Sequence, residues 1–180
     1  MNTFQEKLLK AVKGNVILEP LPDITPAQLW HDEDGFEMPK ADPKALKRVN
    51  NPLPAPAICP HCAGNVKLMS NSVIYNGTEY GKWPYTYICQ REGCRAYVGC
   101  HPNTFIPLGT LATAPIRDAR KKAKAAFNPL WESGQMSRSA AYAWLATQLG
   151  LKDKETCHIG WFDVATCNRV VEICNTYLEE

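Results

Sequence analysis

The sequence predicts an α+β protein in which a small antiparallel β module is followed by a helical segment and preceded by a proline-rich N-terminal arm. Three observations predict it. Between Ile58 and about Val98 the chain runs in short apolar and aromatic stretches, "NVKLMSNSVIY" and "WPYTYIC", separated by the turn-forming pair Asn76-Gly77. After Pro115 the apolar residues recur at spacings of three and four, the period of a helix face. Between residues 14 and 57, repeated prolines fix φ and remove backbone donors, which rules out long helices and central strands. The boundaries that follow are 1–57 for an N-terminal helix and arm, 58–100 for the β module and 101–180 for the helical part.

Taken in order, "MNTFQEKLLKAVKGN" reads as a short amphipathic helix with Phe4, Leu8, Leu9 and Val12 on one side. In the arm, Thr25-Pro26 and Asp42-Pro43 each pair an N-cap with a proline suited to a first helical turn, predicting two short helices. In the C-terminal part, Ile116, Ala119, Ala123, Phe127 and Leu130 form one stripe. Ser137 caps "RSAAYAWLATQL", which buries Ala141, Tyr142, Leu145 and Leu149 and stops at Gly150. A last helix starts at Asp163 and places Cys167, Val170, Val171, Cys174 and Leu178 on one face.

The cysteines carry the chemistry. Cys59 and Cys62 stand at "CPHC", and Cys89 and Cys94 stand either side of a four-residue turn that contains Gly93. A divalent ion that takes four thiolates at tetrahedral corners is served by two such turns, each supplying two ligands, and a hairpin between them would bring both turns to one end. The arrangement is a zinc ribbon, with zinc held by Cys59, Cys62, Cys89 and Cys94 in a closed structural site. A module of about forty residues buries little apolar surface, so metal binding supplies folding free energy directly. His61, Cys100 and His101 are competing ligands by proximity, while Cys157, Cys167 and Cys174 read as core residues.

Composition narrows the setting. No stretch approaches the roughly 20 apolar residues a membrane-spanning helix requires, and the N-terminus lacks the apolar block and cleavage site of a signal peptide. We therefore expect a cytoplasmic protein with reduced thiols and no membrane partner. A net charge of +2 is too small to attract nucleic acid by itself, so any such argument rests on where the charges cluster.

Several motifs in the same order, "CPHCAG", "CRAYVGCH", "PLGTLA", "FNPLW", "AYAWLA" and "HIGWFD", resemble the zinc-finger-containing domain of uncharacterised phage and prophage proteins over about residues 57–175. The resemblance implies a zinc ribbon joined to a helical segment, with the family's ligands falling on the same four cysteines, and it implies no activity. Where the family pattern has a histidine ahead of "FNPLW" and an aspartate in place of its asparagine, this chain has Lys124 and Asn128.

Zinc ribbons serve both as nucleic-acid readers and as protein-contact modules, so charge placement has to discriminate. On a helical wheel Arg117, Arg120, Lys121 and Lys124 share an arc beside the apolar stripe, and Arg91 and Arg95 flank the second cysteine turn. With Lys82, Trp83, Tyr85 and Tyr87 nearby in sequence, this mixture suits phosphate contact and base stacking, and the expected partner is DNA or RNA. The rival reading is an adaptor or inhibitor that docks on a host replication, transcription or defence enzyme, with the arm ordering on its partner. Catalysis would need His101 and His158 to meet as acid and base, and no nucleophile motif or carboxylate cluster accompanies them.

Overall fold

A computed structural model describes residues 39–152 and 154–179. The expected N-terminal amphipathic helix, the Thr25-Pro26 helix and most of the arm lie outside the described residues. The second helix expected in the arm is present as α1, Pro43–Lys47, with Asp42 as N-cap: its Oδ1 accepts a 2.8 Å hydrogen bond from the Lys44 amide. The Asp42 amide in turn donates to the Asn103 carbonyl at 2.9 Å, which anchors this end of the arm on the loop that follows the β module.

The β module is a three-stranded antiparallel sheet in the order β1 (Val66–Ser70), β2 (Tyr85–Cys89), β3 (Tyr97–Gly99). Its pleat sorts the side chains. Val66, Leu68, Tyr87, Cys89 and Val98 face a small core shared with Cys59, Ala96, Cys100 and Leu111. Lys67, Met69, Thr86, Ile88, Tyr97 and Gly99 fall on the opposite face.

The first strand ends sooner than its apolar run suggests. Ser70 turns its hydroxyl back to accept from the Ser72 amide, and residues Asn71–Val73 form a 3₁₀ turn. Asn76 and Gly77 do adopt the left-handed pair of a tight turn, at φ 52° and 88°. They sit inside an excursion between β1 and β2 rather than at the tip of a hairpin. Asn71 closes that excursion, donating to the Tyr80 carbonyl at 2.8 Å and accepting from its amide at 3.1 Å.

The helical part follows the sequence period closely. Helix α2 (Ala114–Phe127) buries Ala119, Ala123 and Phe127. A single turn, α3 (Pro129–Glu132), buries Leu130. Helix α4 (Arg138–Gln148) starts at Ser137, whose side chain accepts from the Ala140 amide, and is followed by Gly150 at φ 68°. Helix α5 (Val164–Glu179) buries Cys167, Val170 and Cys174 and packs along α2. Asp163 caps it, its Oδ1 accepting from the Thr166 amide at 2.8 Å. Cys157, Cys167 and Cys174 are buried core residues, the last two on the apolar face of α5.

Residues Lys40–Glu180 make one compact unit. Within it, two loops approach each other backbone to backbone: the Thr110 amide donates to the Gly160 carbonyl at 3.1 Å. A Cβ on Gly109 would lie 2.3 Å from that carbonyl oxygen, so only glycine permits the approach. Arg120 reinforces the junction from α2, donating to the Phe162 carbonyl (2.9 Å), the Thr110 carbonyl (3.0 Å) and the Thr110 hydroxyl (2.7 Å).

Replacing Gly109 with alanine should therefore lower stability by about 1–3 kcal/mol, the usual cost of forcing extra volume into a packed contact. Gly134→Ala serves as a comparison, because its added Cβ meets no atom within 4 Å and its cost is confined to the strain of φ 80°. Urea denaturation of the two variants would check this, and a Gly109→Ala protein no less stable than wild type would contradict the close approach.

Candidate metal centre

Each cysteine pair is held by a turn whose backbone hydrogen bonds point inward. In the first, the Cys59 amide donates to the Gly64 carbonyl (2.8 Å) and the Ala63 amide to the Cys59 carbonyl (2.9 Å). In the second, the Cys89 amide donates to the Ala96 carbonyl (2.9 Å) and the Cys94 amide to the Arg91 carbonyl (3.2 Å), with Gly93 at φ 78° and Arg95 at φ 50°. The turns face each other, and Arg91 clamps them: its Nη1 donates to the Cys62 carbonyl at 2.6 Å.

The result is four sulfur atoms within 4.8 Å of one another. Cys59 Sγ lies 3.7 Å from Cys94 Sγ, and Cys62 Sγ lies 3.4 Å from Cys89 Sγ. These separations are far too long for a disulfide of about 2.05 Å. They are close to the edge of a tetrahedron whose corners stand about 2.3 Å from a central ion, roughly 3.8 Å. The donor set and the geometry both fit structural zinc, with all four corners supplied by the protein.

Gly64 is the cradle of the site. A Cβ there would meet Arg91 Cβ at 2.7 Å, Cys89 Sγ at 3.2 Å and Cys62 Sγ at 3.3 Å, so a side chain would push the two turns apart. Its signal in the sequence is slight: a glycine two residues after a ligand cysteine, which marks a close backbone approach, and ligand spacing alone passes over it.

The competing ligands stand outside the group of four sulfurs. His61 turns away from the sulfurs, its Nε2 3.0 Å from the Leu111 carbonyl. Cys100 is buried at the end of β3, and the His101 amide donates to the Ile106 carbonyl at 2.8 Å. His158, weighed with His101 only as an acid–base pair, packs against Trp161 with ring centroids 4.1 Å apart and planes tilted by 40°.

The basic residues separate into distinct roles. Arg120 points inward to the junction described above, and burial depresses its pKa. Arg117 lies over the Tyr97 ring, its Cζ 3.8 Å from the centroid, and donates to the carbonyls of Ala112 and, at 3.3 Å, Arg95. Lys121 is exposed and 3.7 Å from Asp118, and Lys124 is exposed one turn further along α2. Tyr75 stands beside Arg117 and Lys121, and its hydroxyl pKa is raised, first by a hydrogen bond with Tyr97 and then by burial. Arg91 and Arg95 are exposed on the second cysteine turn. A four-thiolate zinc centre carries a net charge of about −2, which these two arginines offset.

Metal binding must displace protons. Burial pushes the Cys59 thiol up to about 12 and also raises Cys89. Burial also acts against the Cys62 thiolate, but the Gly64 amide and the neighbouring thiols outweigh it and bring it down to about 7. Without metal the site therefore holds protons at neutral pH that the zinc-bound form has lost, so affinity and zinc-dependent stability rise with pH and fall on acidification. We predict one zinc per chain and an apparent affinity that weakens roughly a hundredfold or more per pH unit between pH 8 and 6, measured by competition with a chromophoric chelator. Cys59→Ser should lose the metal and the folded ribbon together, and a pH-independent affinity would contradict ligation by these thiols.

Comparison with curated proteins and with solved structures gives no match to this chain. A family model described as a zinc-finger-containing domain matches residues 55–177, which takes in the four clustered cysteines, the sheet and helices α2 to α5 almost to the C-terminal end. On this match and the geometry of its four sulfurs, the chain belongs to the zinc-finger-containing domain family.

Proposed function

We propose that this domain binds nucleic acid, contacting phosphates through Arg95, Arg117, Lys121 and Lys124, with Arg91 at the edge of the same surface. The observation that carries the reading is the seat of Arg117. By lying on Tyr97 and bonding to the Arg95 carbonyl, it ties the basic helix α2 to the second cysteine turn, beside the exposed Tyr75, which supports reading their cations as one contact surface. Arg120 drops out of the contact set because its guanidinium is committed to Thr110 and Phe162. The motif resemblance supports a phage or prophage setting.

Lysine and arginine neutralise phosphates and release condensed counterions, so affinity should fall with salt and depend little on sequence. Four phosphates neutralised on a single strand correspond to a slope of log K against log salt of about −3. Exposed apolar residues, among them Val73 and Leu108, favour a protein partner as the second reading.

Fluorescence anisotropy of zinc-loaded protein with labelled DNA and RNA at several salt concentrations tests the proposal. Lys121→Glu with Lys124→Glu should weaken binding and make the slope shallower, by about 0.7 for each single-strand phosphate that is no longer neutralised. Absence of binding at low salt by folded, zinc-loaded protein would overturn it and leave the adaptor reading.

A further inference from the structure

A cleft of about 290 Å³ opens at the edge of the sheet where Tyr97 lies under Arg117. Its lining includes Tyr75, Trp83, Tyr85 and Tyr97, with Thr86 and Gly99 among the strand residues. Thr86 and Gly99 are paired across β2 and β3, and the absence of a side chain at Gly99 keeps the space between the rings open. A Cβ there would reach only to 3.6 Å from Leu108 Cδ1, an ordinary contact, so glycine is not demanded by packing.

Two of the rings are fixed by their neighbours. Trp83 Nε1 donates to the Thr104 carbonyl at 2.6 Å, and its ring packs on Tyr85 and Phe105. Tyr97 lies under the Arg117 guanidinium and lines the cleft together with Tyr75. Preorganised aromatic walls cost little to order on binding. The cleft is small for a ligand pocket, of a size for a single ring system rather than a folded segment. Arg117 and Lys121 beside it supply positive charge that an apolar peptide would not call for.

We infer that this cleft takes one unstacked nucleobase, which makes the ligand class single-stranded nucleic acid. The inference rests on the phosphate-binding reading above and deepens it: the cations hold the backbone while a flat ring enters between aromatic side chains. A base in a duplex is stacked and paired, so it cannot enter without being extruded. Aromatic stacking accepts any base, so little sequence preference is expected.

The test compares three probes on zinc-loaded full-length protein: a short dT strand, an abasic strand of the same length, and a duplex. Wild type should bind the dT strand about tenfold more tightly than the abasic strand, the scale of one base stacked on an aromatic ring. Gly99→Val, which fills the cleft, should bring dT down to the abasic affinity while zinc content and the salt slope on the abasic strand stay as in wild type. Tyr75→Ala, at an exposed ring, provides the same comparison if the valine variant does not fold. Equal wild-type affinity for dT and abasic strands, duplex bound more tightly than dT, or a dT preference that survives both folded variants would overturn the base site and leave phosphate binding standing. Failure to bind any probe at low salt would instead overturn the phosphate reading on which it rests.

Discussion

Convergence of four sulfur atoms is the constraint on which the rest of the β module depends. The sheet has three strands of five, five and three residues, too little to hold a core by itself. Drawing Cys59, Cys62, Cys89 and Cys94 to within 4.8 Å of one another fixes both turns, and with them the start of β1, the end of β2 and the approach to β3. With zinc bound, the thiolates repel less than they are attracted to the ion, and the free energy of ligation becomes folding free energy. Gly64 and Arg91 matter because they let the turns come this close and hold them there.

The second organising contact is the one between loops at Gly109 and Gly160, and it gives physical meaning to two short motifs. "PLGTLA" and "HIGWFD" are far apart in the chain, yet the first places its Thr110 against the second's Gly160, and Arg120 binds Thr110 and Phe162 at once. An arginine that a helical wheel groups with its basic neighbours is thus an internal tie. Its guanidinium replaces water as the partner of two backbone carbonyls, and the charge is tolerated because all three of its nitrogens find acceptors.

Much of the fold was legible because it is local. Asp42, Ser137 and Asp163 announce helix starts through their capping oxygens, Gly150 marks a stop, and the stripe Ala119, Ala123, Phe127 has the helical period. The metal site was legible because ligand spacing within each turn is a property of a few consecutive residues. What escaped is what a run of apolar residues conceals or what depends on partners distant in sequence. Ser70 ends β1 by accepting from the Ser72 amide, just where the apolar run "NSVIY" reads as a continuing strand. The three-residue strand β3 is too short for alternation to register, so the pairing of Gly99 with Thr86, and the cleft beside it, has no signature beyond a glycine in a strand-like stretch. Nor does any periodicity tell an inward arginine from an outward one, since Arg117 and Arg120 differ only in what the rest of the chain brings to them.

The bond from Arg117 to the Arg95 carbonyl links the metal to the outer surface. Arg95 is held at φ 50° by the turn that carries Cys94, so the metal sets the position of an acceptor on which the guanidinium rests, and the guanidinium in turn packs on Tyr97. The ion therefore shapes a surface that it does not touch. By thermodynamic reciprocity, a ligand that preferred this ordered surface would strengthen the hold on zinc, and depletion of zinc would loosen that ligand, so metal supply and the proposed recognition would form one coupled equilibrium.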